Sequence, residues 1–469
     1  MFDDDEEEER FSDGDLKEDL ERFEAFLNGG SIGFLDSDRW EVLLDHLLIA
    51  GQYNKAIICA DEALTQFSYN AFFKLRKAQA LSASGKLKEA LNLLTQIEKT
   101  ELPNFELLLT RASIFSQLKD STNAIKYFKA ALELAEKEDR DEIYLDLAIE
   151  YQYKSKFKQA IAVLTEALES NPLNEGAVYE MAHCYEQMGK PEASLKCFSD
   201  YIDENPYSFT AWYNLGNSYS RLEDYEKAIW AYDYCLLINE DFGPVYFNLG
   251  NSYLSLDKYT KAIENFEKCM ELDGEDPIAL CYLGECHEQM GELDLAKLYY
   301  NKSIELAPQL ADAWLGLGIV KDLEGQTKEG IVLIHKASEI DPDNGSIYHV
   351  LAGAYEKNDE FDKAQEYYIL SLEFNPEDEE CLINYINFLK TRSIGEAYSY
   401  LTEFEEFDFD NRIAKVLKVS LLWEMGQDAN ALDLFKTCLI EDKERALELF
   451  DINPALKNVV DFVLLADQN

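Results

Sequence analysis

The chain has 469 residues, with 43 Lys and Arg against 92 Asp and Glu, for a formal net charge of −49. Such a surface repels nucleic-acid phosphates and anionic lipid heads, so the electrostatic drive for DNA or RNA binding has the wrong sign and a positively charged partner is the expectation. A hydrophobic content of 47% is ample for a packed interior, yet no run of 18 apolar residues occurs to form a membrane span.

The opening MFDDDEEEER has neither the basic region nor the apolar core of a secretory signal, and it is not Arg- and Ser-rich like a transit peptide. Residues 1–24 hold thirteen acidic residues against Arg10, Lys17 and Arg22, and the run from Asp3 to Glu9 has nothing apolar to bury. A disordered tail is expected there. Leu16, Leu20, Phe23 and Leu27 then fall at helical spacing until Asn28, Gly29 and Gly30 stop the helix. Residues 1–36 thus read as an acidic tail followed by a capping or docking helix. Nine cysteines, an odd number without disulfide-framework spacing, mostly occupy packing positions, as Cys235, Cys269 and Cys438 do. Reduced core thiols and a cytoplasmic location are expected.

Two copies of one unit occupy residues 209–274. Trp212, Leu215, Gly216, Tyr219, Ala228, Tyr232 and Cys235 in the first are matched 34 residues later by Tyr246, Leu249, Gly250, Tyr253, Ala262, Phe266 and Cys269. These residues fall on one face of each of two successive helices, with a short polar turn between. Gly216 and Ala228 lie where an antiparallel helix pair approaches most closely, leaving room for Trp212, Tyr219 and Tyr232. Neither helix can bury enough surface alone, so each pair must pack on the next. The residues resemble the tetratricopeptide repeat (TPR), whose pattern is W-x2-L-G-x2-Y, then A-x3-F, then P.

Counting in both directions places repeat starts at Ser37, Ala71, Phe105, Asp141, Glu175, Phe209, Gly243, Pro277, Ala311, Gly345, Glu379 and Arg412, with nine intervals of 34, one of 36 and one of 33. Position 20 is Ala, Ser or Gly in the first ten units, from Ala56 to Ala364, while Pro172, Pro206, Pro308, Pro342 and Pro376 close the second helix at position 32. Extra residues at 136–140 lengthen one connection, and the Glu379 unit loses a residue. The resemblance implies an all-α, right-handed superhelical solenoid of about twelve repeats over 37–444, closed by capping helices in 445–469.

Adjacent His183 and Cys184, and Cys286 and His287, point in divergent directions on a helix, so neither pair reads as a metal site, and no bound metal is expected in the chain. Gly316-x-Gly318 lies inside a helix and reads as close packing rather than a phosphate loop. No catalytic signature appears, so neither an enzyme nor a cofactor is expected.

In the TPR family, positions 2, 5, 6, 9 and 12 of the first helix line the concave groove. The resemblance therefore implies a partner-binding surface containing Tyr179, Tyr213 and Phe247 at position 5, with His183, Asn214, Asn217, Asn248 and Asn251 at positions 6 and 9. Carboxamides can hold a peptide backbone while rings stack on its side chains. Glu285, Glu288, Asp322 and Glu356 make the same face acidic further along. Asn at positions 6 and 9 is equally a feature of ordinary repeats, where it solvates a helix face. The sub-type that clamps acidic chaperone tails is excluded, because Tyr213, Ile278 and Tyr282 stand where its basic residues belong, although Asn217 and Asn248 match. The expectation is a non-enzymatic scaffold or adaptor holding an extended, basic protein segment; an acidic chaperone or assembly factor for a basic client is the alternative.

Overall fold

The computed structural model describes residues 13–406 and 412–468. The expected tail from Asp3 to Glu9 lies outside the described residues. Among the described residues there are helices and no strand, and no helix is long and apolar enough to cross a membrane. Two compact units, Met1–Glu240 and Asp241–Asn469, each contain six helix pairs. First helices begin at Ser37, Ala71, Phe105, Arg140, Glu175 and Phe209 in one unit, and at Gly243, Pro277, Ala311, Gly345, Glu379 and Arg412 in the other. Eleven of these twelve starts coincide with the residue that the 34-residue period assigns; Arg140 precedes the expected Asp141 by one.

The helix starts have a local cause at position 34, which the sequence reading did not single out. The side chains of Asn70, Asn104, Asn174, Ser208, Asp276, Asn344 and Asp378 each accept a backbone N–H from the first turn that follows, as Asn104 Oδ1 does from Leu107 at 2.9 Å. These groups satisfy donors that have no partner within the helix. Position 15, between the two helices of a repeat, takes the left-handed conformation in every repeat but the Glu379 one, where Ser393 is extended: Gly291 has φ +76°, and the non-glycines Lys119 and Glu223 are held at +59°.

In the three pairs that begin at Phe209, Gly243 and Pro277, the position-24 ring lies on the position-8 glycine. A Cβ added to Gly250 would sit 2.5 Å from the Phe266 ring, and one added to Gly284 would sit 2.7 Å from Tyr300, both closer than side chains tolerate. Gly316 meets the hydroxyl end of the Tyr300 ring from the preceding repeat, while Gly318 faces Gly330 and Ile334 of its own. The Gly-x-Gly pair therefore serves close packing in two directions. Between repeats, an aromatic donor at position 4 reaches back to the carbonyl of the preceding proline. Trp212 Nε1 donates to Pro206 at 2.9 Å, Trp314 Nε1 to Pro308 at 3.0 Å and Tyr348 Oη to Pro342 at 2.8 Å.

Helix Asp13–Leu27 docks through the fully buried Phe23, with Leu16, Leu20 and Leu27 packed beside it. It also carries Asp19, only 2% exposed, which accepts two hydrogen bonds from Arg39 at 2.7 and 2.6 Å. At the other end, after the short helices Lys443–Leu447 and Leu449–Ile452, helix Val460–Gln468 places Phe462 against Phe435 and Trp423, with ring centroids 5.2 and 5.5 Å apart. Cys235, Cys269 and Cys438 are buried.

Candidate partner-binding site

In the unit Met1–Glu240, Asn174 and Ser208 fix the starts of helices Glu175–Gln187 and Phe209–Arg221. Those starts set which side chains face outward. Tyr179 is 50% exposed, while His183, Tyr213, Asn214 and Asn217 are half-buried. Asn217 has an internal task, since its Oδ1 accepts the Tyr232 hydroxyl at 2.9 Å. Tyr213 lies beside the same ring, with centroids 6.2 Å apart. Tyr179 is therefore the aromatic of this group with the most surface to offer a partner.

In the unit Asp241–Asn469, Phe247 packs against the stacked pair Phe266 and Tyr282 at 5.8 and 6.0 Å, so this ring belongs chiefly to the interior. Asn248 is half-buried. Asn251 Oδ1 is buried without a hydrogen-bond partner. The contrast with Asn217 has a one-atom cause: position 24 is Tyr232 in one repeat and Phe266 in the next, and the phenylalanine has no hydroxyl to donate.

The four carboxylates also divide by their contacts. Glu288 accepts the Tyr300 hydroxyl at 2.9 Å and Glu356 accepts the Tyr368 hydroxyl at 2.9 Å, each from position 24 to position 12 of one repeat. Asp322 accepts from Thr327 at 2.5 Å and pairs with Lys357 at 3.0 Å. Glu285 has no such neighbour. Together with Glu288 and the exposed Asp312, it forms an acidic group to which no Lys, Arg or His among the described residues is ion-paired. Burial, and then the charge of Asp312, push the Glu285 carboxyl above its ordinary range. Burial pushes Glu288 up to about 7, against the opposing hydrogen bond from Tyr300 and with a further push from Glu285. Carboxylates placed this way are stabilised by an incoming cation.

The hydroxyls of Tyr232, Tyr300 and Tyr368 and the carboxylate of Asp312 were not singled out from sequence. The available signal was Tyr rather than Phe at position 24, because a buried phenol needs an acceptor. His183 and Cys184 diverge as expected: Cys184 is fully buried beside Gln152 Nε2 at 3.3 Å, while His183 is half-exposed. His287 is turned to Glu292, Nδ1 to Oε2 2.7 Å, and stacks on Tyr299, whereas Cys286 enters the core.

Helix pairs stacked within each unit, with aromatic, amide and acidic side chains offered from their first helices, define a repeat scaffold. The chain belongs to the tetratricopeptide repeat family: TPR family models match residues 241–309, residues 154–215, and three single repeats at 105–138, 209–242 and 345–378. Members of this family are in general non-catalytic scaffolds that bind protein partners. No curated protein matches the chain. Among solved structures, it is similar to a chain of the APC/C hetero-tetramer Cut9-Hcn1, at 16% identity over 82% of this chain and 90% of that one, with a TM-score of 0.43. A TPR protein from Parabacteroides merdae ATCC 43184 is similar at 18% identity over 52% and 96%, TM-score 0.45. YrrB, described as a TPR protein with an unusual peptide-binding site, is similar at 23% identity over 39% and 94%, TM-score 0.31.

Proposed function

We propose that this protein is a non-enzymatic scaffold or adaptor that holds an extended, basic segment of a partner protein against its first helices. The observation that carries this reading is the acidic group Glu285, Glu288 and Asp312, half-buried in part and with no cation ion-paired to it among the described residues, on a chain of net charge −49. A Lys or Arg side chain from the partner would meet these carboxylates. In the other unit, the exposed Tyr179 and half-buried Asn214 would provide an aromatic surface and amide hydrogen bonds.

The test is fluorescence anisotropy with labelled extended peptides of alternating Lys and apolar residues, beside an otherwise identical Glu series. Preferential binding of the Lys series is expected, weakened about tenfold by Glu285→Gln with Glu288→Gln. Equal binding of both series, or a double variant that binds like the parent, would overturn the proposal. The charge of −49 also favours a second reading, an acidic chaperone that screens a basic client. An adaptor anchored by rings keeps its partner in high salt, whereas a charge-screening chaperone releases it.

A further inference from the structure

Two consecutive repeats bring an imidazole, a carboxylate and a thiol together. His349 is at position 5 of helix Gly345–Lys357, Asp378 is the N-cap of helix Glu379–Arg392, and Cys381 lies in the first turn of that second helix. One ligand atom from each lies within 4.8 Å of the other two, the only such group of three His, Cys, Asp or Glu side chains among the described residues. The corresponding positions one repeat earlier are Leu315, Asn344 and Ile347, which cannot form this donor set. We propose that His349, Asp378 and Cys381 form a zinc site that joins the Gly345 and Glu379 repeats.

The separation of His349 Nδ1 from Asp378 Oδ2, 3.6 Å, is too long for a hydrogen bond. Two donors on a tetrahedral zinc, each about 2.0–2.1 Å from the ion, stand about 3.3 Å apart, so a shift of a few tenths of an ångström completes that edge. The Cys381 sulfur lies within 4.8 Å of both atoms, against about 3.6 Å on a tetrahedral zinc, so it must close in by up to about 1.2 Å. Asp378 Oδ1 accepts the Cys381 backbone N–H at 2.9 Å, which leaves Oδ2 for the ion. His349 Nε2 lies 3.1 Å from Asn384 Nδ2, and reversing that amide brings its oxygen to the ring, so that Nε2–H donates and Nδ1 keeps its lone pair for the metal.

Cys381 is fully buried, and its thiol donates to Ser371 Oγ at 3.3 Å. On binding, that thiol proton leaves to solvent and the sulfur ligates as thiolate. One carboxylate and one thiolate then balance the charge of the dication, and a thiolate–imidazole–carboxylate set suits zinc better than magnesium or calcium. His349 and Asp378 remain partly exposed, leaving the fourth position open to water or a partner's side chain. The ion would reinforce the repeat with the 33-residue interval, where Ser393 alone separates helices Glu379–Arg392 and Ile394–Glu406.

The experiment uses the full chain, stripped with a chelator and titrated with zinc alone by competition against a chromophoric indicator, then with cobalt(II) as a spectroscopic substitute. One tight site per chain is expected, with a thiolate-to-cobalt charge-transfer band. His349→Ala and Cys381→Ser should each weaken zinc binding at least about tenfold and Cys381→Ser should remove the band, while Cys438→Ser should leave both unchanged. Zinc should also raise the thermal midpoint of the parent but not of His349→Ala, a variant that keeps the buried thiol if Cys381→Ser fails to fold. Weak binding to surface carboxylates that neither variant alters, or no stoichiometric site, would overturn the proposal.

Discussion

Lys119 and Glu223 keep the left-handed backbone that glycine adopts at the same turn in other repeats, with φ +59° and both side chains exposed. A Cβ costs energy in that conformation, whereas glycine carries a larger entropy loss on folding. Relief of strain is the larger effect where the side chain makes little contact. Glu223→Gly should therefore stabilise the chain by about 0.5–1 kcal/mol, and Gly291→Ala should destabilise it by about 1 kcal/mol. Urea midpoints together with hydrogen exchange at the two turns would check both signs. Nothing lies within 4 Å of a Cβ added to Gly291, so the expected loss comes from backbone conformation rather than collision.

Glu288 makes a pH prediction at the same scale. Its carboxyl is raised from 4.5 to about 7, chiefly by burial, so the folded chain holds that proton more tightly than the unfolded chain. The associated stability is present in full below about 4.5 and is lost as pH rises through about 7. Glu288→Gln should match the parent near pH 4 and exceed it near pH 8 by about 1–2 kcal/mol, discounted for the side chain's partial contact with solvent. Thermal or urea midpoints taken across this window would show the two curves separating; parallel curves would contradict the assignment.

At the scale of a helix pair, the hydroxyl of Tyr232 and the missing hydroxyl of Phe266 make a matched comparison. Phe266→Tyr should supply Asn251 Oδ1 with the donor that Asn217 already has, stabilising by about 1 kcal/mol. The gain should vanish in an Asn251→Leu background, which makes the double-mutant cycle the decisive measurement. At the first helix, Arg39→Ala would leave the buried Asp19 without its two strongest donors. That change should cost about 3 kcal/mol and release helix Asp13–Leu27, detected as local loss of hydrogen-exchange protection.

These pairings explain why parts of the candidate site were hard to read. Position 12 acids and position 9 amides looked like outward-facing groups because the period assigns them to one helix face. Glu288, Glu356 and Asn217 nevertheless receive hydroxyls from the second helix of their own repeat. The pairing depends on two separately variable positions, and a period alone does not report their distance.

For the whole molecule, 92 acidic side chains against 43 basic ones impose self-repulsion that salt screens. Raising the ionic strength should increase the thermal midpoint of the free protein while weakening its binding to Lys-rich peptides. Opposite signs in two simple titrations would separate the cost of holding this charge in one fold from its use in recognition. A midpoint that falls with salt would show that specific ion pairs, such as Lys357 with Asp322, outweigh the net repulsion.

By itself, the sequence determined the repeat unit, its period and all but one of the first-helix starts, because small residues, apolar faces and capping side chains recur at fixed intervals and act within one or two turns of chain. It also determined the sign of the charge, which depends on composition alone. The tertiary structure decided which acids carry an internal hydroxyl or lysine and which, like Glu285, have no cation paired to them among the described residues. It also decided that Tyr179 is exposed while Phe247 is packed, and that His349, Asp378 and Cys381 meet across 32 residues of chain. Those outcomes turn on distances between helices, set by how one repeat seats on the next and written in no single stretch of residues.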